Sequence, residues 1–262
     1  MEKLISIDLK APFGFLKKPD INEGGGKQLY LTFNLLHKPA LLGILGAIVG
    51  LSGYRKLKEL PQYYRELNDL LVGIQPLNTS KGNFVKTIVH YKNGVGYASL
   101  EVGGNLIIAE QILIQPAFRC YFLLEMENSL HQKLDNYLRE SQAEYLPYLG
   151  KNEFSLWWEG YFEHSAEPFS FDRNYRMVTI FRKGEQLVKE MREKSGNDGL
   201  FLFDSTTEPG FIYFEELPVG FDEKLMQYKR EVFAYTNYTL RKDRRLDRVY
   251  YLKESNVVIQ LF

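Results

Sequence analysis

Between Lys38 and Arg55, sixteen consecutive residues carry no charge, and four of them are glycine. Pro39 suits a first helical turn, and Leu41, Leu42, Ile44, Leu45, Ile48 and Val49 then cover most of a helix circumference. A helix that is apolar all round must be buried nearly all round. This one is shorter than the roughly 20 residues that a membrane span requires, so it predicts the centre of a globular core and no membrane partner. Gly43, Gly46, Ala47 and Gly50 fall at i, i+3, i+4 and i+7, which strips one side of the helix of side chains. Each helix-interior glycine costs about 1 kcal/mol relative to alanine, so something must offset about 3 kcal/mol. Two arrangements do so: close packing of the helix on a sheet or second helix, or the approach of a phosphate backbone or partner chain to Gly43, Gly46 and Gly50.

The rest of the chain can supply such a core. Its 262 residues are 45% hydrophobic and 25% charged, a globular composition. Folding at this length buries on the order of 70 to 75% of the unfolded surface, so no disulfide or metal staple is needed, and one large or two small domains both fit. The single cysteine, Cys120, cannot form an internal disulfide, and no CxxC or paired Cys/His spacing offers a zinc site. A reducing cytoplasm is the expected setting, and the charged N-terminus MEKLISIDLK lacks the apolar core of a signal peptide. Lys plus Arg equal Asp plus Glu at 33 each, so any polyanion site must be local.

Ile5, Ile7 and Leu9 alternate with Ser6 and Asp8 as a strand does, with only Leu4 out of step. A polar, glycine-rich loop follows from Lys17 to Lys27. After the glycine helix, a second helix is predicted from Pro61, with Tyr64, Leu67, Leu70 and Leu71 on one face and its stop at Gly73. Phe84–Tyr91 and Ile112–Leu124 read as strands of an elaborated hairpin. Leu130, Leu134, Tyr137 and Leu138 predict a helix capped near Asn128 or Ser129, and Tyr145–Leu149 a closing strand. The order β, α, α, β, β, α, β is the split βαβ, ferredoxin-like arrangement that also underlies RNA-recognition modules. From about residue 160 short strands dominate, at Met177–Phe181, Leu200–Phe203, Phe211–Phe214, Val232–Leu240, Arg248–Leu252 and Val257–Phe262. Helical patterns interrupt them at Gln186–Lys194 and Asp222–Lys229. The predicted fold is therefore α+β: a ferredoxin-like (RRM-like) domain at 1–155 with an inserted hairpin, then a β-rich lobe at 156–262.

Basic residues cluster at Lys17 and Lys18 and again at Arg241, Lys242, Arg244, Arg245 and Arg248, the latter between Tyr238 and Tyr250. Interleaved arginines and tyrosines can contact phosphates and stack on bases, and a solvated surface is the plainer alternative. His37, His90, His131 and His164 match no metal motif, and no phosphate-loop, dinucleotide or hydrolase signature is present, so no cofactor is expected. His90, Tyr91 and Lys92 combine the side-chain types that metal-independent RNA cleavage uses, a base, an acid and a cation. On a strand His90 and Lys92 share a face that Tyr91 does not.

Three segments, IDLKAPFGFLKKPD, HKPALLGILGAIVGLSGY (37–54) and YLPYLGKNEF (145–154), together resemble the Cas-five family of CRISPR-associated proteins, most of all its type I-B branch. The resemblance covers roughly the first 155 residues. It implies a ferredoxin-like domain with a projecting β-hairpin thumb between Phe84 and Leu124, holding the 5′ handle of CRISPR RNA in the Cascade surveillance complex. Its implied partners are CRISPR RNA and the Cascade backbone and large subunits, with target DNA met indirectly. The candidate RNA contacts are then Lys17, Lys18, His37, Lys38, Arg241, Lys242, Arg244 and Arg245, with Gly43, Gly46 and Gly50 open to close backbone approach. Type I-C relatives cleave repeat RNA with Tyr, Lys and His. That leaves His90 and Lys92 as the catalytic alternative to a non-catalytic scaffold.

Overall fold

The computed structural model describes residues 1–19, 29–56, 58–92, 107–182, 201–202 and 210–262. In chain order these form β1 (Glu2–Lys10), β2 (Phe13–Gly14), β3 (Leu29–Tyr30), α1 (Lys38–Val49), α2 (Gln62–Leu67), β4 (Leu71–Leu77), β5 (Lys86–Lys92), β6 (Ile107–Ile114), β7 (Ala117–Glu125) and α3 (Ser129–Arg139). There follow β8 (Trp157–His164), β9 (Ala166–Pro168), β10 (Phe181–Arg182), β11 (Phe201–Leu202), β12 (Ile212–Asp222), β13 (Gln227–Thr236), β14 (Thr239–Leu240), β15 (Val249–Leu252) and β16 (Val257–Gln260). The architecture is α+β with sheet predominating, and no described helix is long and apolar enough to cross a membrane.

The principal sheet has the strand order β4-β7-β1-β8, with every neighbouring pair antiparallel. Ile5, Ile7 and Leu9 of β1 are buried on the face that carries the main core with α1, α2 and α3. Leu4 departs from the alternation because the other face is also covered at that end: Leu4 and Tyr121 pack with Leu252 of β15, Ile259 of β16 and the Leu261 that follows it. Cys120, in the central strand β7, is fully buried, and burial holds its thiol pKa well up.

Helix α1 is buried as its sequence demands, with Leu41, Leu42, Ile44, Leu45, Ile48 and Val49 all inside. Its glycine stripe is filled from within the chain. A Cβ on Gly46 would stand 2.3 Å from Tyr63 Cβ of α2, and Tyr63 also lies over Gly43. Gly50 ends the helix at φ 83°, a left-handed cap that favours glycine. The side chain that closes over Gly50 is Glu144. Close packing on a second helix thus accounts for Gly43 and Gly46, and the left-handed cap under Glu144 for Gly50, without the approach of another molecule.

Several sequence-based expectations change. The second helix stops at Leu67, and Gly73 lies inside β4, where the backbone oxygen of Gln260 would stand only 3.0 Å from an added Cβ. Phe84–Tyr91 is consequently not a strand of the principal sheet but supplies β5, which pairs with β6. The predicted strand Ile112–Leu124 breaks at Gln115 (φ 48°) and Pro116, so β6 belongs to the hairpin and β7 to the sheet centre. The closing strand is β8, not Tyr145–Leu149, a segment that forms only a bridge between Tyr148 and Ser155. Asp222–Lys229 is the turn and start of the β12–β13 hairpin, because Asp222 Oδ1 accepts from the amides of Lys224 and Leu225 and folds the chain back. The expected helix at Gln186–Lys194 lies outside the described residues.

Candidate nucleic-acid interface

Strand alternation divides the β5–β6 hairpin into two unlike faces. Thr87, Val89 and Tyr91, opposite Ile112, Glu110 and Ile108, form the inner one. Val89 and Ile112 pack with Phe15, Phe154 and Tyr30. Lys151 lies 4.0 Å from the Tyr91 ring centroid and bonds Glu110 at 2.7 Å, so Tyr91 is held by packing. On the outer face stand Lys86, Ile88, His90 and Lys92, opposite Leu113, Gln111, Ala109 and Ile107. Ile88, His90, Lys92 and Ile107 are exposed. From Lys86 to Lys92 this face runs for about 20 Å at strand rise, the span of several nucleotides.

The root of that face is fixed by a buried polar knot. Asn34 donates from Nδ2 to the Gly82 carbonyl (2.7 Å) and accepts at Oδ1 from the Phe84 amide (3.1 Å) and Lys86 Nζ (2.6 Å). Its own amide and that of Leu35 donate to the Glu215 carboxylate at 3.0 Å each, and Lys18 Nζ pairs with the same carboxylate at 2.9 Å. One cluster thereby joins the basic N-terminal loop, the segment ahead of α1, the base of β5 and strand β12. Burial lowers the Lys86 pKa; Glu215 opposes this and Lys18 adds to it. Lys17, exposed beside the knot, lies 4.0 Å from the Tyr30 ring centroid.

The structure therefore brings Lys18 to the root of the face that holds His90 and Lys92, while Lys17 lies over Tyr30, which packs with the inner face. Lys86 is the member that sequence reading passed over, although its even spacing from His90 and Lys92 within KTIVHYK was the available signal. His37 and Lys38 are correspondingly removed from the expected RNA contacts. The ring of His37 is buried and accepts the Ala40 amide at Nδ1 (3.3 Å), which caps α1, and burial pushes its pKa down to about 3. Lys38 is also buried and donates to the Phe262 backbone oxygen at 3.3 Å. Burial first, then Arg182 and Arg248, lower its pKa to about 8. His131 accepts the Glu125 amide, and His164 bonds Ser6 Oγ at 2.8 Å. The second basic cluster is a turn between β14 and β15. Arg241 pairs with Asp243 (3.0 Å), the Lys242 amide donates to Asn174, and the Arg244 carbonyl accepts from Tyr175. Arg245 is exposed there.

No protein-family model matches the chain, and no curated protein matches it. Solved structures do. The chain is similar to one in the cryo-EM structure of the type III-B Cmr-beta bound to cognate target RNA and AMPPnP, with TM-score 0.50 and 9% identity over 91% of this chain and 86% of that one. It is similar as well to a chain of a CRISPR RNA-guided surveillance complex (TM-score 0.47, 13% identity, 90% of each chain). A third is a CRISPR protein from Archaeoglobus fulgidus (TM-score 0.46, 14% identity, 99% of this chain and 98% of that one). At 9% identity the likeness to the Cmr-beta chain is one of fold, and fold is what the chain shares with it.

Proposed function

We propose that the chain is a non-catalytic RNA-binding subunit of a type I CRISPR surveillance complex, a Cas-five protein of the I-B kind that holds the 5′ handle of CRISPR RNA. The observation that carries this reading is the outer face of the β5–β6 hairpin, where Lys86, His90 and Lys92 follow one another above Lys18. Single-stranded RNA needs such a track of cations, and a chain without net charge has to build it locally. The order β4-β7-β1-β8, with α1 and α3 in the crossovers, supports reading this part as ferredoxin-like with β5–β6 as its thumb. Because β8 pairs with β1, we place the end of this unit after His164 rather than at 155, with the β-rich lobe following. The Cascade backbone and large subunits are the proposed protein partners, and the cytoplasm the proposed setting.

The second reading, a metal-independent endoribonuclease, draws on the shared face of His90 and Lys92, while Tyr91 faces the other way. Incubation with repeat RNA in EDTA, read on denaturing and native gels, separates the two. The scaffold reading expects intact RNA and weaker shifts for Lys86→Ala/Lys92→Ala. Discrete products that vanish in His90→Ala would sink it.

A further inference from the structure

A second surface lies at the opposite end of α1 from its His37 cap. After Gly50 the chain turns back so that the Tyr63 amide donates to the Ser52 carbonyl (3.4 Å), leaving Tyr54, Arg55 and Lys58 at the surface. Residues 144–149 run beside the last turn of the same helix: the amides of Glu144 and Tyr145 donate to the carbonyls of Ile48 (2.9 Å) and Ala47 (3.1 Å). The Leu149 amide to Phe154 carbonyl bond (2.8 Å) and the Leu156 amide to Pro147 carbonyl bond (3.1 Å) then hold the backbone that presents Tyr145, Leu146 and Tyr148. Tyr54 is 58% exposed, Tyr145 59% and Tyr148 42%. Tyr63, seated in the glycine stripe, lies near Tyr54 and Tyr148: burial raises its hydroxyl pKa, and the neighbouring phenols of Tyr54, Tyr228 and Tyr148 add to this.

In the same segment Lys56 pairs with Glu59 at 3.4 Å, which leaves Arg55 and Lys58 as the cations beside Tyr54. Among the described residues Arg55 and Lys58 have no ion pair, while the nearby Glu144 carboxylate is taken up by Lys133 Nζ (3.0 Å) and the Tyr137 hydroxyl (2.7 Å). Exposed phenol rings on a fixed backbone stack on bases of any identity, and flanking cations draw the phosphates between them. We infer that Tyr54, Tyr145 and Tyr148, flanked by Arg55 and Lys58, form a second binding site for single-stranded nucleic acid, distinct from the outer face of the β5–β6 hairpin.

The test uses the full chain carrying Lys86→Ala/Lys92→Ala, so that the hairpin no longer dominates, and measures fluorescence anisotropy of labelled oligo-U and oligo-dT of about eight nucleotides. Residual binding should persist and fall about 5- to 150-fold for each stacking ring removed in Tyr54→Ala/Tyr148→Ala, while Tyr54→Phe/Tyr148→Phe retains it. Arg55→Ala/Lys58→Ala should flatten its salt dependence. Equal affinity for the two oligomers points to stacking on any single strand, and preference for oligo-U to RNA; either supports the site if the tyrosine variant loses it. No binding in the hairpin variant, or binding indifferent to both substitutions, overturns the inference while leaving the hairpin reading intact, and would assign the tyrosines to a protein neighbour.

Discussion

His37 works only while it is neutral. As the cap of α1 its Nδ1 must accept the Ala40 amide, and burial has driven its pKa from 6.5 to about 3. Below 6.5 the unfolded chain takes up a proton that the folded chain refuses. This stability is therefore whole above that value and is lost as pH falls, at about 1.4 kcal/mol per unit until about pH 3. His37→Asn keeps a cap without a titration, so its Tm should fall less than the parent's between about pH 7.5 and about pH 5. A residual slope from His131 and His164, whose pKa values burial also lowers, should remain. Gly43 and Gly46 should respond with opposite signs. Gly46→Ala drives a Cβ into Tyr63 at 2.3 Å and should cost about 1 to 3 kcal/mol in urea unfolding. Gly43→Ala meets the Tyr63 ring at an ordinary 3.6 Å and should gain up to about 1 kcal/mol of helix propensity.

Among the elements, α1, α3 and β1 were legible because each carries its own pattern. The hydrophobic residues of α1 demand burial, Asn128 caps α3, and Ile5, Ile7 and Leu9 alternate. Strand β4 was hidden because Leu70 and Leu71 continue the spacing of Leu67, and because Gly73 and Pro76 argue against a strand. Its reason is tertiary: the backbone of residues 260–262 lies against it, with Val72 and Phe262 exchanging amide hydrogen bonds. The Asp222–Lys229 turn was lost likewise, since its charged residues read as helix until β12 and β13 are paired along their length. The polar knot had no sequence signature, because Asn34 and Glu215 meet across 181 positions. Glu215→Ala removes the acceptor of two buried amides and the partner of Lys18, and should cost about 3 to 5 kcal/mol. Urea denaturation against Glu215→Gln, which keeps an acceptor, would separate the lost hydrogen bonds from the lost charge.

For the molecule as a whole, neutrality makes charge placement more informative than charge content. The proposed hairpin contacts predict a shallow salt dependence, because few phosphates are neutralised. Lys86→Ala/Lys92→Ala should reduce the slope of log K against log salt by about 0.7 for each lost contact, read by titrating repeat RNA at several ionic strengths. Of the proposed contacts, Lys18, His90 and Lys92 were legible in the sequence. The rest was not, because only the fold shows Lys86 sharing their face and His37 and Lys38 turned inward. Finally, Cys120 gives the protein an internal clock. The central strand shields its thiol completely and burial keeps it from ionising, so an alkylating reagent can reach it only when the principal sheet opens. Labelling at rising urea would time that opening, and RNA added beforehand should slow it if the ligand binds only the closed sheet.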